Sequence, residues 1–184
     1  MPDERRMAED LTSFLADPGG LRLREPLGAG DAANQTTALY EGSGRDGATF
    51  SLRLGDMRGR GLYAVSVWPE RGKKSAGDTV SARILQLFIA ENLDLLDDPR
   101  CSVGLWYNAD EDVTYRDIVA TLPSRQEAAA LALQYDQIAI FDLRTLTEIE
   151  TGGTGNTPAD MPPATERLPK ISPQEPDAQK EEQL

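Results

Sequence analysis

The chain has 184 residues, enough for one domain with appendages and a real hydrophobic core. It carries a net charge of −12, one cysteine and no histidine. Those counts exclude an intrachain disulfide, a Cys/His zinc site within one chain, and nucleophilic chemistry of the Ser-His-Asp or Cys-His kind.

The opening MPDERRMAED is polar, and no apolar run approaches the length of a bilayer crossing, so no membrane association and a cytoplasmic setting are expected. Residues 3–17 read as an amphipathic helix, with Met7, Leu11, Phe14 and Leu15 at helical spacing and ADPGG as its stop. The segment LRLRE is a possible short strand. The following GAGDAA matches the pattern of a dinucleotide loop, which needs a strand before it and a helix after it. A proline precedes it and the β-prone TTALYEG follows, so it reads as a flexible connection. TTALYEG and ATFSLRL alternate on either side of SGRDG and predict a β-hairpin. Residues 1–60 thus read as a helix and a hairpin packed on a core at 61–150.

That core begins with a strand over 62–68, with Tyr63, Val65 and Val67 on one face and Ala64, Ser66 and Trp68 on the other. Pro69 ends it, and PERGKKSAGD is a polar loop. Asp78 or Thr79 is the expected N-cap of a helix whose stripe is Val80, Ile84, Leu87 and Phe88, widened by Leu93 and Leu96. In the second strand Val103, Leu105 and Tyr107 alternate with Ser102, Gly104 and Trp106. NADEDV reads as a polar turn rather than a calcium loop, because it lacks the glycine and distal glutamate of an EF-hand. A third strand follows over 115–122. Ser124 and Glu127 form a capping box for the helix EAAALALQY, IAIFDL is the last strand of the unit, and TEIE a short edge strand. The order predicts an α+β, ferredoxin-like split βαβ (βαββαβ) sandwich.

From residue 151 the chain holds no aromatic residue and six of its twelve prolines. Residues 151–184 therefore read as a disordered, Pro-rich acidic tail. PADMPP and LPKISP inside it are candidate ligands for a Pro-reading module, with a passive tail the plainer reading. The tail has three basic and six acidic residues, so −9 of the −12 belongs to the rest of the chain.

A split βαβ sandwich keeps both helices on one face. If Val65, Val103 and Ile118 lie beneath them, the opposite face carries Ser66, Trp68, Trp106, Tyr115 and Asp117, with Phe141 ambiguous. Candidate binding residues are Ser66, Trp68, Glu70, Arg71, Trp106 and Asp117. One reading has the N-terminal helix and hairpin cover this face. Another has it meet a protein partner or a second copy, sheet to sheet. A third has Glu70, Arg71 and Asp117 converge on a small ligand or serve a histidine-independent reaction. Stacking of single-stranded RNA on Trp68 and Trp106 suits the rings but not the charge, so no direct nucleic-acid binding is expected. An acidic nucleic-acid mimic needs carboxylates in rows on one side. No catalytic residue, metal or cofactor is assigned. Cys101 reads as a quiet, partly buried thiol, although Arg100 beside it would favour a lower pKa.

At YAVSVWPER, SVGLWYN, Tyr115-Arg-Asp-Ile118 and IAIFDL the chain resembles a group of small bacterial and mobile-element proteins. The resemblance covers roughly residues 61–153. It implies a bacterial or phage cytoplasmic accessory protein and brings no activity with it. Together these readings favour a non-enzymatic interaction or accessory protein acting through an open sheet face or an acidic surface. A small-ligand binder is the alternative.

Overall fold

The computed structural model describes residues 24–168, so the helix expected over residues 3–17 and the end of the acidic tail lie outside it. Among the described residues the helices are α1 (Ala29–Gly42), α2 (Ala82–Glu91), α3 (Leu93–Leu96) and α4 (Arg125–Gln134). The strands are β1 (Ala48–Ser51), β2 (Gly55–Asp56), β3 (Tyr63–Val65), β4 (Lys73–Ala76), β5 (Cys101–Asn108), β6 (Val113–Leu122), β7 (Ala139–Asp142) and β8 (Thr147–Glu150). Two 3-10 turns, Pro69–Arg71 and Ala164–Glu166, complete the set.

The strands form one sheet in the order β2-β1-β5-β6-β3-β7-β8, and every pairing is antiparallel. The protein is α+β. Its spine is the β5–β6 ladder, which pairs Cys101 with Ala120 at one end and Asn108 with Val113 at the other. β3 and β4 share the far edge of β6. Val65 pairs with Ala120, and beyond the Pro69–Arg71 turn Lys74 pairs with Tyr115.

One face of the sheet is buried beneath helices. Phe50, Val65, Val103, Ile118 and Ala120 join Ala32, Ala33 and Tyr40 of α1, Leu85, Phe88 and Ile89 of α2, and Ala128, Leu131 and Ala132 of α4 in one cluster. Val65, Val103 and Ile118 therefore lie on the side that alternation predicts. On the opposite face a smaller cluster of Leu54, Met57, Leu62, Ala64 and Leu143, with Val119 against it, covers one end of the sheet. Burial of this extent is the main favourable term for the fold.

Several local expectations are corrected. TTALYEG is not a strand: it is the second half of α1, whose buried stripe Ala32, Ala33, Thr36 and Tyr40 starts ahead of it. Thr36 bonds back to the Ala32 carbonyl at 2.7 Å, which lets a β-branched residue sit quietly inside a helix. The hairpin is instead β1 with β2. GAGDAA opens that helix, with Gly28 as N-cap and no side-chain cap, but residues 24–28 are not a strand. The cap of α2 is Ser81, whose hydroxyl accepts from the Ile84 amide, rather than Asp78 or Thr79. Its buried stripe is Leu85, Phe88 and Ile89, one step round from the expected one, so Ile84 and Leu87 are exposed.

The largest correction concerns the tail. Residues 151–168 run back over the body rather than leaving it. Thr154 donates its amide to Asp136 Oδ1 at 2.7 Å, and the Gly155 amide donates to the Asp136 carbonyl at 2.7 Å. Gly153 passes so close to the turn after α4 that a Cβ there would stand 2.2 Å from the Gln137 carbonyl oxygen. Met161, Ala164 and Leu168 then pack against the main core. Composition missed this because the segment has few apolar residues of its own and borrows its burial from the body.

Candidate functional site: the uncovered end of the sheet

Residues paired across an antiparallel ladder put their side chains on the same face. Trp106 pairs with Tyr115, Tyr115 with Lys74, and Gly104 with Asp117, so all of these face away from the helices. This end lies beyond the Leu54–Met57–Leu143 cluster. The Trp106 and Tyr115 rings stack 4.2 Å apart and 5° from parallel. Such a pair contributes about 0.5–1.5 kcal/mol beyond its burial. Trp106 nevertheless remains 41% exposed.

Polar groups hold the stack in place. The Trp106 indole N–H donates to Asp117 Oδ2 at 3.1 Å. The Tyr115 hydroxyl donates to Glu111 Oε2 at 2.6 Å, and Lys74 Nζ lies 4.5 Å from the centre of the Tyr115 ring. Lys74 also reaches Glu111 at 3.9 Å. Burial pushes the Asp117 carboxyl above the ordinary aspartate range, against the pull of the Trp106 N–H and of Lys74. Gly72 passes over this carboxylate, and a Cβ there would meet Asp117 Oδ1 at 2.8 Å. The result is a stacked, hydrogen-bonded aromatic platform rimmed by both signs of charge.

The other candidate residues are elsewhere. Trp68 is not on this face: it is 1% exposed within the main core, and its indole N–H donates to the Ala164 carbonyl at 2.8 Å. Alternation fails here because β3 ends at Val65, three residues short of Trp68. Ser66, also past the end of the strand, is half-buried. Glu70 pairs with Arg167 at 2.6 Å. Arg71 donates to Asn92 Oδ1 at 3.1 Å and pairs with Asp94 at 2.8 Å. Glu70, Arg71 and Asp117 thus turn to three different partners and form no common pocket.

Asp110, Glu111 and Asp112 make a hairpin turn. The Asp110 amide donates to Asn108 Oδ1, and the Tyr107 hydroxyl donates to Asp112. Cys101 is buried, and burial pushes its thiol upward with Asp98 adding to the shift; Arg100 opposes it but is paired to Asp98 at 2.6 Å. Two features had no clear signal in the sequence. Lys74 sits in what reads as a loop, and Arg167 is a lone cation between prolines.

Among the described residues no cluster of three or more carboxylate or thiol side chains is gathered as a metal site would be. Among the same residues no helix is long and apolar enough to cross a membrane. No protein-family model matches the chain, and no curated protein or solved structure matches it either.

Proposed function

We propose that this chain is a non-enzymatic interaction module, an accessory protein of the cytoplasm that docks a protein partner on Trp106, Tyr115 and Asp117. The observation that carries the reading is an indole 41% exposed yet stacked flat and hydrogen-bonded. An aromatic anchor held in one rotamer loses little entropy on binding, which is the usual character of an interface hot spot. The rim of Lys74, Glu111 and Asp117 supplies charge for register.

The order β5-β6-β3-β7, with α2 between β3 and β5 and α4 between β6 and β7, supports a ferredoxin-like split βαβ core extended at both edges. The small-ligand reading has less support, since its three polar groups are each taken by a different neighbour. The acidic mimic also has less: Asp56, Asp94, Asp97 and Asp98 are each paired to an arginine.

The test is affinity capture from a native host with the wild type, Trp106→Ala and Leu133→Ala, the last removing an exposed apolar side chain on α4. A protein captured by the wild type and by Leu133→Ala, but lost with Trp106→Ala, supports the reading. Retention by Trp106→Ala overturns it. Light scattering on the wild type and Trp106→Ala separates the self-associating case, which predicts a dimer only in the wild type.

A further inference from the structure

Trp68, part of the helix-covered core, and Arg167 are both held where the last described segment crosses the body. The Arg167 guanidinium is enclosed, its side chain 6% exposed. Its Nε donates to the Pro162 carbonyl at 3.0 Å, and one terminal nitrogen donates to the Val67 carbonyl at 2.8 Å and Glu70 Oε2 at 2.9 Å. The other terminal nitrogen lies 2.6 Å from Glu70 Oε1. The Tyr135 ring stands 6.0 Å from the guanidinium carbon. Three residues upstream, the Ala164 carbonyl accepts the Trp68 indole N–H.

Apart from the Pro162 carbonyl, the receiving groups come from the folded body: the Val67 carbonyl, freed because β3 stops at Val65, the Glu70 carboxylate, the Trp68 indole and the Tyr135 ring. The groups they receive come from one short segment joined to the body by an irregular connection after β8. A two-pronged carboxylate, a carbonyl and an aromatic wall select a planar guanidinium over an ammonium. The Trp68 N–H adds a backbone reading at a fixed spacing. This is how a groove holds a peptide.

We propose that Val67, Trp68, Glu70 and Tyr135 form a binding site for an arginine-bearing peptide segment of another protein, which residues 164–167 of this chain fill in cis. A tethered occupant competes at a high effective concentration, so an incoming peptide binds only by displacing it. The tail thereby sets the threshold for recognition at this site.

The test uses the full chain and a fluorescein-labelled peptide of residues 160–170, DMPPATERLPK, followed by anisotropy. Arg167→Ala empties the guanidinium position and keeps Val67, Trp68, Glu70 and Tyr135. The expected result is saturable binding to Arg167→Ala, with affinity at least ~10-fold lower for the wild type and for a peptide carrying lysine in place of the arginine. Absence of binding to a folded Arg167→Ala chain overturns the proposal, as does equal binding of the arginine and lysine peptides. A measurement on the wild type needs no variant: excess unlabelled peptide added to the ¹⁵N-labelled chain should move the Thr165, Glu166 and Arg167 amides to free-chain positions. An unchanged spectrum under saturating peptide overturns it. A wild-type dimer that Arg167→Ala dissolves would place the segment in a second copy and overturn the cis assignment.

Discussion

The two tryptophans of this chain lie on opposite sides of the sheet and meet opposite fates. Trp106 lies within a long ladder, 41% exposed, on a stack built from its cross-strand neighbour. Trp68 lies past the end of a three-residue strand, 1% exposed, under a segment that arrives from nearly a hundred residues away. The contrast teaches that an indole's surroundings follow from how long its strand continues. A paired strand fixes which face a side chain takes, whereas a chain leaving the sheet turns its side chain wherever burial is offered. One indole is thereby enclosed by its own chain and the other is left exposed.

Unfolding measurements give the largest contrast. Trp68→Ala is expected to cost ~3–5 kcal/mol by denaturant titration, the usual range for deleting a buried large aromatic. Trp106→Ala is expected to cost only about 1 kcal/mol, the worth of its stack. Equal losses would erase the distinction between the two indoles.

Next comes the tail. Arg167→Ala is expected to destabilise by roughly 2 kcal/mol, because it removes charge-assisted hydrogen bonds from an enclosed site. Burial raises the Glu70 carboxyl, but the Arg167 hydrogen bond, the Glu70 amide and the charges of Arg167 and Arg71 together hold it below its ordinary 4.5. A depressed folded pKa contributes stability that is present above 4.5 and lost as pH falls through the lower folded value. The gap between wild type and Arg167→Ala should therefore shrink in acid. A gap independent of pH would remove Glu70 from the latch.

A smaller effect, with the opposite sign, is expected at Arg116. This cation is 6% exposed, its Nε has no hydrogen-bond partner, and burial lowers its pKa. It donates to the Ser75 hydroxyl, and no ion pair to a carboxylate is found among the described residues. Arg116→Met is expected to raise stability by about 1 kcal/mol, since an unpaired buried charge is replaced by an apolar chain of similar length. A loss of stability would mean that the Ser75 bond outweighs the desolvation.

The smallest effect is spectroscopic. The Asp117 carboxyl is raised by burial, so its charged form is disfavoured by folding, and stability falls as pH rises through its folded pKa. Trp106 emission should titrate with that carboxyl, above the ordinary value of 3.8, and the step should vanish in Asp117→Asn. A step that persists in Asp117→Asn would assign it to another group.

The sheet was legible where strands are long. Val103, Ile118, Trp106 and Asp117 all fall on the faces that alternation predicts, because β5 and β6 hold a single register over eight pairs. Trp68 was misplaced because nothing local announces that β3 stops at Val65. α1 was misread because its apolar stripe uses alanines, a threonine and a tyrosine, which weigh little in a hydrophobic pattern. The docked part of the tail was illegible for a different reason. Its order comes from groups on the body, the Trp68 N–H, the Val67 carbonyl and Glu70, none of which is near it in sequence.

Iodide quenching of the single-tryptophan chains Trp68→Phe and Trp106→Phe tests the contrast between the two indoles most directly. Strong quenching is expected when Trp106 alone remains, and near-complete protection when Trp68 alone remains. Equal quenching of the two, or protection of Trp106, would contradict it.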